Sequence, residues 1–210
     1  MIHDAISLIR QELVAYLEAE HGYGNAGDIV LIENIALFES TGTGVNFDDK
    51  IVMSLVNIEE ESTLKNSAFV KQGIGANARY ENPPIFINLY LLITASNKST
   101  AEKSYLNAIE RLSLVIRFFQ GKNTFTAGSS AFYSSASFTS EDYQDLRITA
   151  ELYTLTFEQI NHLWGTLGGK QMPSAMYKLR LVAITDRKLL REVPLIEEIE
   201  TTVGRRPGKS

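Results

Sequence analysis

Pro83-Pro84-Ile85-Phe86-Ile87-Asn88-Leu89-Tyr90-Leu91-Leu92-Ile93 cannot enter a helix, because two consecutive prolines remove backbone donors and hold φ near −65°. The residues that follow alternate, with Ile85, Ile87, Leu89, Leu91 and Ile93 on one face and Phe86, Tyr90 and Leu92 on the other. A strand that is apolar on both faces is one covered on both sides, so this segment is expected to run through the middle of a sheet. Two amphipathic helices can supply such cover. Ile2, Ile6, Ile9, Leu13 and Leu17 recur at spacings of three and four opposite Arg10, Gln11, Glu12 and Glu18, predicting a helix that stops at His21-Gly22. Tyr105, Ala108, Ile109, Leu112, Val115, Ile116 and Phe119 repeat in the same way, predicting a second helix that lies on the sheet and ends at Gly121.

Further strands flank the first. Between Asp28 and Phe38 two apolar runs, IVLI and IALF, predict two short strands or one bent strand before the turn at Thr41-Gly42-Thr43-Gly44. Lys50 to Ile58 predicts a buried strand ending in the acidic run Glu59-Glu60-Glu61, and residues 62–84 read as a long connection. Residues 128–142, with six serines and little periodicity, read as a surface loop. Leu146, Ile148, Ala150 and Leu152 alternate with Arg147, Thr149, Glu151 and Tyr153 in a half-buried strand. Thr156 with Gln159 three residues on forms a capping box for a helix carrying Phe157, Ile160, Leu163, Trp164 and Leu167, closed by Gly168-Gly169. Tyr177, Leu179, Leu181 and Ala183 belong to a last long strand. With no repeating unit, this order predicts an α+β domain over residues 1–186, built as a single mixed β-sheet with helices packed on it. Residues 187–210 read as an extended C-terminal arm and tail. Leu189 to Val203 mixes Leu195, Ile196 and Ile199 with acids, and is expected to find nothing to pack on within its own subunit.

Composition narrows the function. The 210 residues are 44 % hydrophobic and 21 % charged, which excludes disorder or a fibrous repeat for the chain as a whole. There is no cysteine, hence no thiolate nucleophile, disulfide framework or Cys-based metal site. A net charge of −5 spread along the chain is a poor footprint for nucleic acid. The first residues carry Asp4 and Glu12 and lack the apolar core of a leader, and the longest apolar stretch, interrupted by Asn88, falls far short of the ~20 residues a membrane helix needs. A soluble protein made in the cytoplasm, with neither membrane nor nucleic acid as partner, is expected.

Motifs of chemistry fail on context. Gly22-Tyr23-Gly24-Asn25-Ala26-Gly27 fits the spacing of a dinucleotide loop but follows a helix and precedes a strand, the reverse of the order that aims a helix N-terminus at pyrophosphate. Gly204-Arg205-Arg206-Pro207-Gly208-Lys209-Ser210 has three residues between its glycines where a phosphate loop has four. Gly165 to Lys170 lies at a helix C-terminus, where carbonyls point outward. His162 has one nearby carboxylate, Glu158, and one His with one Glu makes neither a metal site nor a triad. No G-x-S-x-G elbow exists. Glu59, Glu60 and Glu61 read as a protein-facing surface in preference to a cation site, and Leu64, Lys65, Asn66, Leu195, Ile196 and Ile199 are placed with them as interface residues. Trp164 and Phe118-Phe119 are the largest apolar anchors and read as core.

Several segments together resemble one family. They are Val56 to Glu61 with Leu64 to Asn66, Asn82 to Ile85 with Asn88 to Tyr90, Leu112 to Ile116 with Phe118 to Gln120, and Asn161-His-Leu-Trp-Gly-Thr-Leu-Gly-Gly-Lys170 with Pro173-Ser174 and Tyr177-Lys178. The resemblance, over about residues 1–186, is to the tail-terminator or cap proteins of extracellular contractile injection systems, phage-tail-like particles of the antifeeding-prophage type. It implies a structural, non-enzymatic role: six copies form a ring that closes the baseplate-distal end of the inner tube and sheath and stops their growth. Its partners would be copies of itself and the last tube and sheath rings, with no cofactor and no catalytic residue. The chain would be cytoplasmic during assembly and then part of a particle released from the cell. Asn161, His162, Trp164, Gly168, Gly169 and Lys170 carry over as family-marking, structural positions. A subunit with a radius of gyration of roughly 17 Å is too small to close a wide tube alone, which agrees with a ring. Two other readings stand beside it: a baseplate or connector component of the same kind of particle, and a small-molecule-binding or enzymatic α+β domain.

Overall fold

Twenty residues from Ile2 to His21 form α1, whose Ala5, Leu8, Ile9, Leu13 and Leu17 are buried along one stripe. In this computed structural model the described residues are 2–39, 45–61, 70–72, 77–81, 85–96, 103–129, 146–168, 170–184 and 189–194. The chain divides into two compact units, Met1–Lys65 with Ile85–Ile184, and Asn66–Pro84 with Thr185–Ser210.

After α1 the first unit continues through a four-residue helix α2 (Ala26–Ile29), β1 (Val30–Ile32), a 3-10 turn (Ile35–Glu39) and β2 (Ile51–Glu60). It resumes with β5 (Ile85–Ala95), α3 (Ser104–Gly121), β6 (Thr124–Thr126), β7 (Arg147–Tyr153), α4 (Phe157–Thr166) and β8 (Ser174–Ile184). The six strands form one sheet in the order β1-β2-β5-β8-β7-β6, with β1 parallel to β2 and the other pairs antiparallel. The α+β class with one mixed, helix-covered sheet is the fold of this unit. β5 lies inside the sheet, between β2 and β8, because its two apolar faces leave no side for water.

Both faces are covered. Leu89, Leu91 and Ile93 of β5 join Ile51, Met53, Ile148 and Leu179 in a core that also takes the inner stripes of α1 and α3. Leu92 points the other way, into a second cluster with Val52, Phe38, Phe47, Met176 and Trp164 of α4. A charged group also helps anchor the first layer: Arg10 of α1 donates from Nε to the Val30 carbonyl (2.7 Å) and from Nη2 to the Gly27 carbonyl (2.6 Å), tying α2 and the start of β1 to α1. The glycine-rich segment 22–27 is therefore part of the connection between α1 and β1.

Two elements differ from expectation. The IALF run is a 3-10 turn, because polar side chains capture its backbone donors: Asn34 Oδ1 accepts from Ala36 N (3.0 Å) and Ser54 Oγ from Ile35 N (3.0 Å), leaving neither free for a strand ladder. The expected sheet-facing stripe of α3 is rotated by about one position. Ala108, Arg111, Leu114, Val115, Phe118 and Phe119 are buried, whereas Tyr105, Ile109 and Ile116 are exposed. Arg111 takes its inward place by donating from Nη2 to the Ser96 carbonyl (3.0 Å) and Asp49 (3.1 Å), which a strictly apolar reading of the stripe could not anticipate.

The second unit holds β3 (Val70–Gln72), β4 (Asn77–Glu81) and β9 (Leu189–Pro194), an antiparallel sheet in the order β3-β4-β9. Residues 62–84, read as a connection, thus contain two strands. The arm, expected to lack a partner in its own subunit, begins with a strand paired to β4, Ala78 opposite Val193 and Tyr80 opposite Arg191. Backbone pairing needs no apolar periodicity, and none marks these short segments. The serine-rich loop lies outside the described residues beyond Ser129, and so do Leu64, Lys65, Asn66, Gly169, Leu195, Ile196 and Ile199.

Candidate functional site

The acidic run is an extension of β2, which continues through Glu60, two residues past the expected end. Glu59 lies opposite Asn88, and Tyr90 opposite Lys178, so β2, β5 and β8 bring the three polar side chains Glu59, Tyr90 and Lys178 onto one patch. Tyr90 Oη donates to Glu59 Oε2 at 2.6 Å, Lys178 Nζ donates to the same oxygen at 3.3 Å, and the ammonium sits 5.3 Å from the centre of the Tyr90 ring. Tyr90 also meets Tyr153 edge-on, with ring centres 5.1 Å apart.

The electrostatics follow from this geometry. The hydrogen bond from Tyr90, then that from Lys178 with its charge, holds the Glu59 carboxyl below its ordinary range. The same bond to Glu59, with some burial, raises the Tyr90 phenol. Partial burial alone would lower the Lys178 ammonium, but its bonds to Tyr90 and Glu59 outweigh that and raise it. These shifts keep the carboxylate and ammonium charged and the phenol neutral at neutral pH, so the patch is a fixed salt-bridged rim with no group poised to transfer a proton. Next to it Asn88 donates from Nδ2 to Glu61 Oε2 at 3.1 Å, and Glu61 N donates to the Phe86 carbonyl at 2.8 Å. The carboxylates of Glu59 and Glu61 are thus pinned to the sheet by neighbouring side chains.

Residues 161–168, expected to be family-marking, lie on α4 and the turn that follows it. Thr156 Oγ1 accepts from Gln159 N (3.2 Å) and Gln159 Oε1 accepts from Thr156 N (2.9 Å), the reciprocal box expected from their spacing. Trp164 is buried among Ile35, Phe47, Val52, Leu92, Met172 and Met176 and pins the helix to the sheet. Gly168 has φ +108°, open space where a Cβ would stand, and hence a conformational need for glycine. Asn161 and Lys170 are exposed. His162 is exposed too, its Nε2 3.8 Å from Glu158 Oε1 one turn earlier. Phe157, expected on the buried side of α4, also points outward.

A groove of about 550 Å³ separates α4 from β2 and is lined by Ile58, Glu59, Tyr90, Tyr153, Gln159 and His162 among others. Among the described residues no three His, Asp or Glu side chains come together in a way that could hold a metal ion, and no helix is long and apolar enough to cross a membrane. The arrangement can bind a surface through fixed charges and apolar area.

Comparison with known proteins places this fold. The chain superposes over its full length on the sheath/tube terminator of an extracellular contractile injection system, PVC, in its extended state, with a TM-score of 0.64 and 15 % identity. Over 97 % of its length it superposes on the anti-feeding prophage cap, a tube-terminating cap, with a TM-score of 0.57 and 15 % identity. It spans 65 % and 62 % of those two chains. No curated protein matches it significantly. Residues 4–198 match the family model described as the Pvc16 N-terminal domain, and with nearly its whole length inside that match the chain belongs to the Pvc16 N-terminal domain family.

Proposed function

We propose that this protein is a structural cap, a tail terminator, of a contractile injection particle. Copies of it form a ring, six in number, that closes the baseplate-distal end of the inner tube and sheath and stops their growth. The observation that carries this reading is the likeness of the whole chain, not of one motif, to a sheath/tube terminator and to a tube-terminating cap. A rim in which Glu59 is held by Tyr90 and Lys178, beside a groove with largely apolar walls, suits a surface-fitting role.

In this reading the partners are other copies and the final tube and sheath rings, met in the cytoplasm and carried in a particle that is then released. The domain of residues 1–186 does the capping and the arm of residues 187–210 the attachment. Glu59, Glu60, Glu61, Leu64, Lys65, Asn66, Leu195, Ile196 and Ile199 are interface residues in this reading. Asn161, His162, Trp164, Gly168, Gly169 and Lys170 are structural positions in this reading, Trp164 by seating α4 on the sheet and Gly168 by closing it.

Removing the gene product and measuring tube lengths by electron microscopy tests the role. Tubes of uncontrolled length, or none that persist, are expected; tubes of normal length and intact ends would refute it. Because β9 already pairs with β4, the arm is best tested by truncation after Pro194, which leaves that ladder in place. Loss of sheath attachment with retained folding is the expected result.

A further inference from the structure

The second unit draws its sheet from two stretches far apart in the chain, Asn66–Pro84 and Thr185–Ser210. The first supplies the pair β3 and β4, and the second supplies β9. β3 meets β4 through three residue pairs, from Val70 opposite Tyr80 to Gln72 opposite Ala78, whereas β9 meets β4 through five, from Asn77 opposite Pro194 to Glu81 opposite Leu189. Two strands alone are marginal in water, and a third is what makes such a sheet hold. β9 therefore contributes the larger share of the pairing, and every copy of the chain requires one β9 against its β4 edge.

Nothing in that ladder requires the strand to come from the same chain, because backbone pairing is blind to the origin of its partner. β9 lies at the edge of its sheet and is the last described element, so giving it away displaces no other described element. It follows β8 after the four residues 185–188, and β4 precedes β5 by the three residues 82–84, of which Pro83 and Pro84 hold φ near −65°. Short, stiff connections invite the exchange of an element between copies, since extending the connection relieves what closing it onto its own chain demands. Exchange keeps the number of paired residues, so the ladder itself expresses no preference. A short tether presents its own strand at an effective concentration on the order of millimolar, a level that a neighbour held beside it in an assembly matches.

The direction of the contact follows from the topology. The accepting edge, β4, and the donated strand, β9, are different segments of the chain. A copy that gives its β9 forward and receives one from behind makes a head-to-tail contact, and contacts of that kind close into rings, whereas a surface that matches itself stops at a pair. We propose that on assembly β9 of each copy leaves its own β4 and pairs with β4 of the next copy, so that residues 189–194 of a second copy of this chain occupy the β4 edge. The proposal rests on the reading of the protein as a ring-forming cap and names the segment that links the ring.

The chain has no cysteine, so introduced thiols can pair only with one another. Ala78 stands opposite Val193 in the ladder, and Tyr80 opposite Arg191. Ala78→Cys and Val193→Cys are made in separate chains, one of them enlarged by a tag. The two are mixed, unfolded and refolded together, concentrated until light scattering shows a mass above one chain, and oxidised. A disulfide between a tagged and an untagged chain is expected, at roughly tenfold or more the yield of a reference mixture of Glu20→Cys with Val193→Cys, which meet by collision alone. The chain that carries both Ala78→Cys and Val193→Cys should give a covalent series reaching beyond two chains. Inserting about six Gly and Ser residues after Asp186 should lower the yield between chains several-fold, by easing the return of β9 to its own β4. The proposal is overturned if every disulfide in the oligomer lies within one chain, if the series stops at two chains, or if the chain stays single at every concentration. If the variants at 78 and 193 do not fold, Tyr80→Cys with Arg191→Cys decides in the same way. Tubes that end normally without this protein, together with disulfides between its chains, would sink the cap role and leave the exchange standing; tubes of uncontrolled length with disulfides confined to single chains would do the reverse.

Discussion

α1 and α3 pack on the same face of the same sheet, and their rings touch where Tyr16 meets Phe118 at 5.5 Å, yet they place their apolar residues differently. In α1 the large aliphatic side chains Leu8, Ile9, Leu13 and Leu17 are all sealed in the core. In α3 a comparable set is divided, half turned to the sheet and half to solvent. The difference teaches that the fold needs one stripe per helix. The second stripe of α3 is surplus to folding and stays in contact with water.

The sharpest way to break that contrast is to truncate residues on either side of it. Phe119→Ala removes a ring stacked on Tyr177 at 4.0 Å, and Leu13→Ala opens the centre of the α1 layer. Each should lower the unfolding free energy of the single chain by about 3–4 kcal/mol, as large-to-alanine core changes do. Denaturant titration reads this directly, and a loss below about 1 kcal/mol at either site would show that the inner stripe is not the stabilising one.

A second test asks whether the inner face of α3 is dry. Burial pushes the Tyr177 phenol from its ordinary value of 10.0 up to about 12. Its folded value lies above its unfolded value, so its contribution is fully present below pH 10 and is lost as pH rises toward 12, at up to ~1.4 kcal/mol per pH unit. Tyr177→Phe should flatten the stability profile in that window; an unchanged slope would mean that water reaches the ring.

Adjacent residues of α4 sharpen the contrast further. Thr156→Ala should cost ~1 kcal/mol by removing a helix cap. Phe157→Ala, although it deletes a far larger side chain, should change the stability of the single chain by less than ~0.5 kcal/mol. Thermal unfolding of the two variants side by side checks the order, and a reversed order would place Phe157 within the fold. Smallest of all is Ile109→Ala, expected within ~0.5 kcal/mol of the parent in dilute solution. A cost near that of Leu13→Ala would erase the distinction between the buried and exposed stripes of α3.

Much of the fold was legible because burial writes periodicity into sequence. The two-sided pattern of β5, the single stripe of α1, the Thr156–Gln159 box and the glycine after α4 each have a local physical cause, and each stands where that cause puts it. The Glu59 rim was legible as a charged surface, but its partners were not. Tyr90 and Lys178 lie 31 and 119 residues away along the chain, and strand register alone brings them to one oxygen. β3, β4 and β9 were missed because backbone ladders between short strands leave no mark in side-chain pattern. Phe157 was expected inward because it shares the side of α4 that carries Ile160 and Trp164, but as the first residue of the helix it stands beyond the cluster that Trp164 enters.

From sequence alone came the α+β class, the central strand, the lack of cysteine chemistry and the resemblance to terminators of contractile particles, since composition, alternation and motif are carried by residues close together in the chain. The tertiary structure decided which side of α3 is buried, which carboxylate meets which ammonium, and where the arm begins to pair. Those choices depend on contacts between residues far apart in the chain, and the free energy of such contacts exists once the layers have closed on one another.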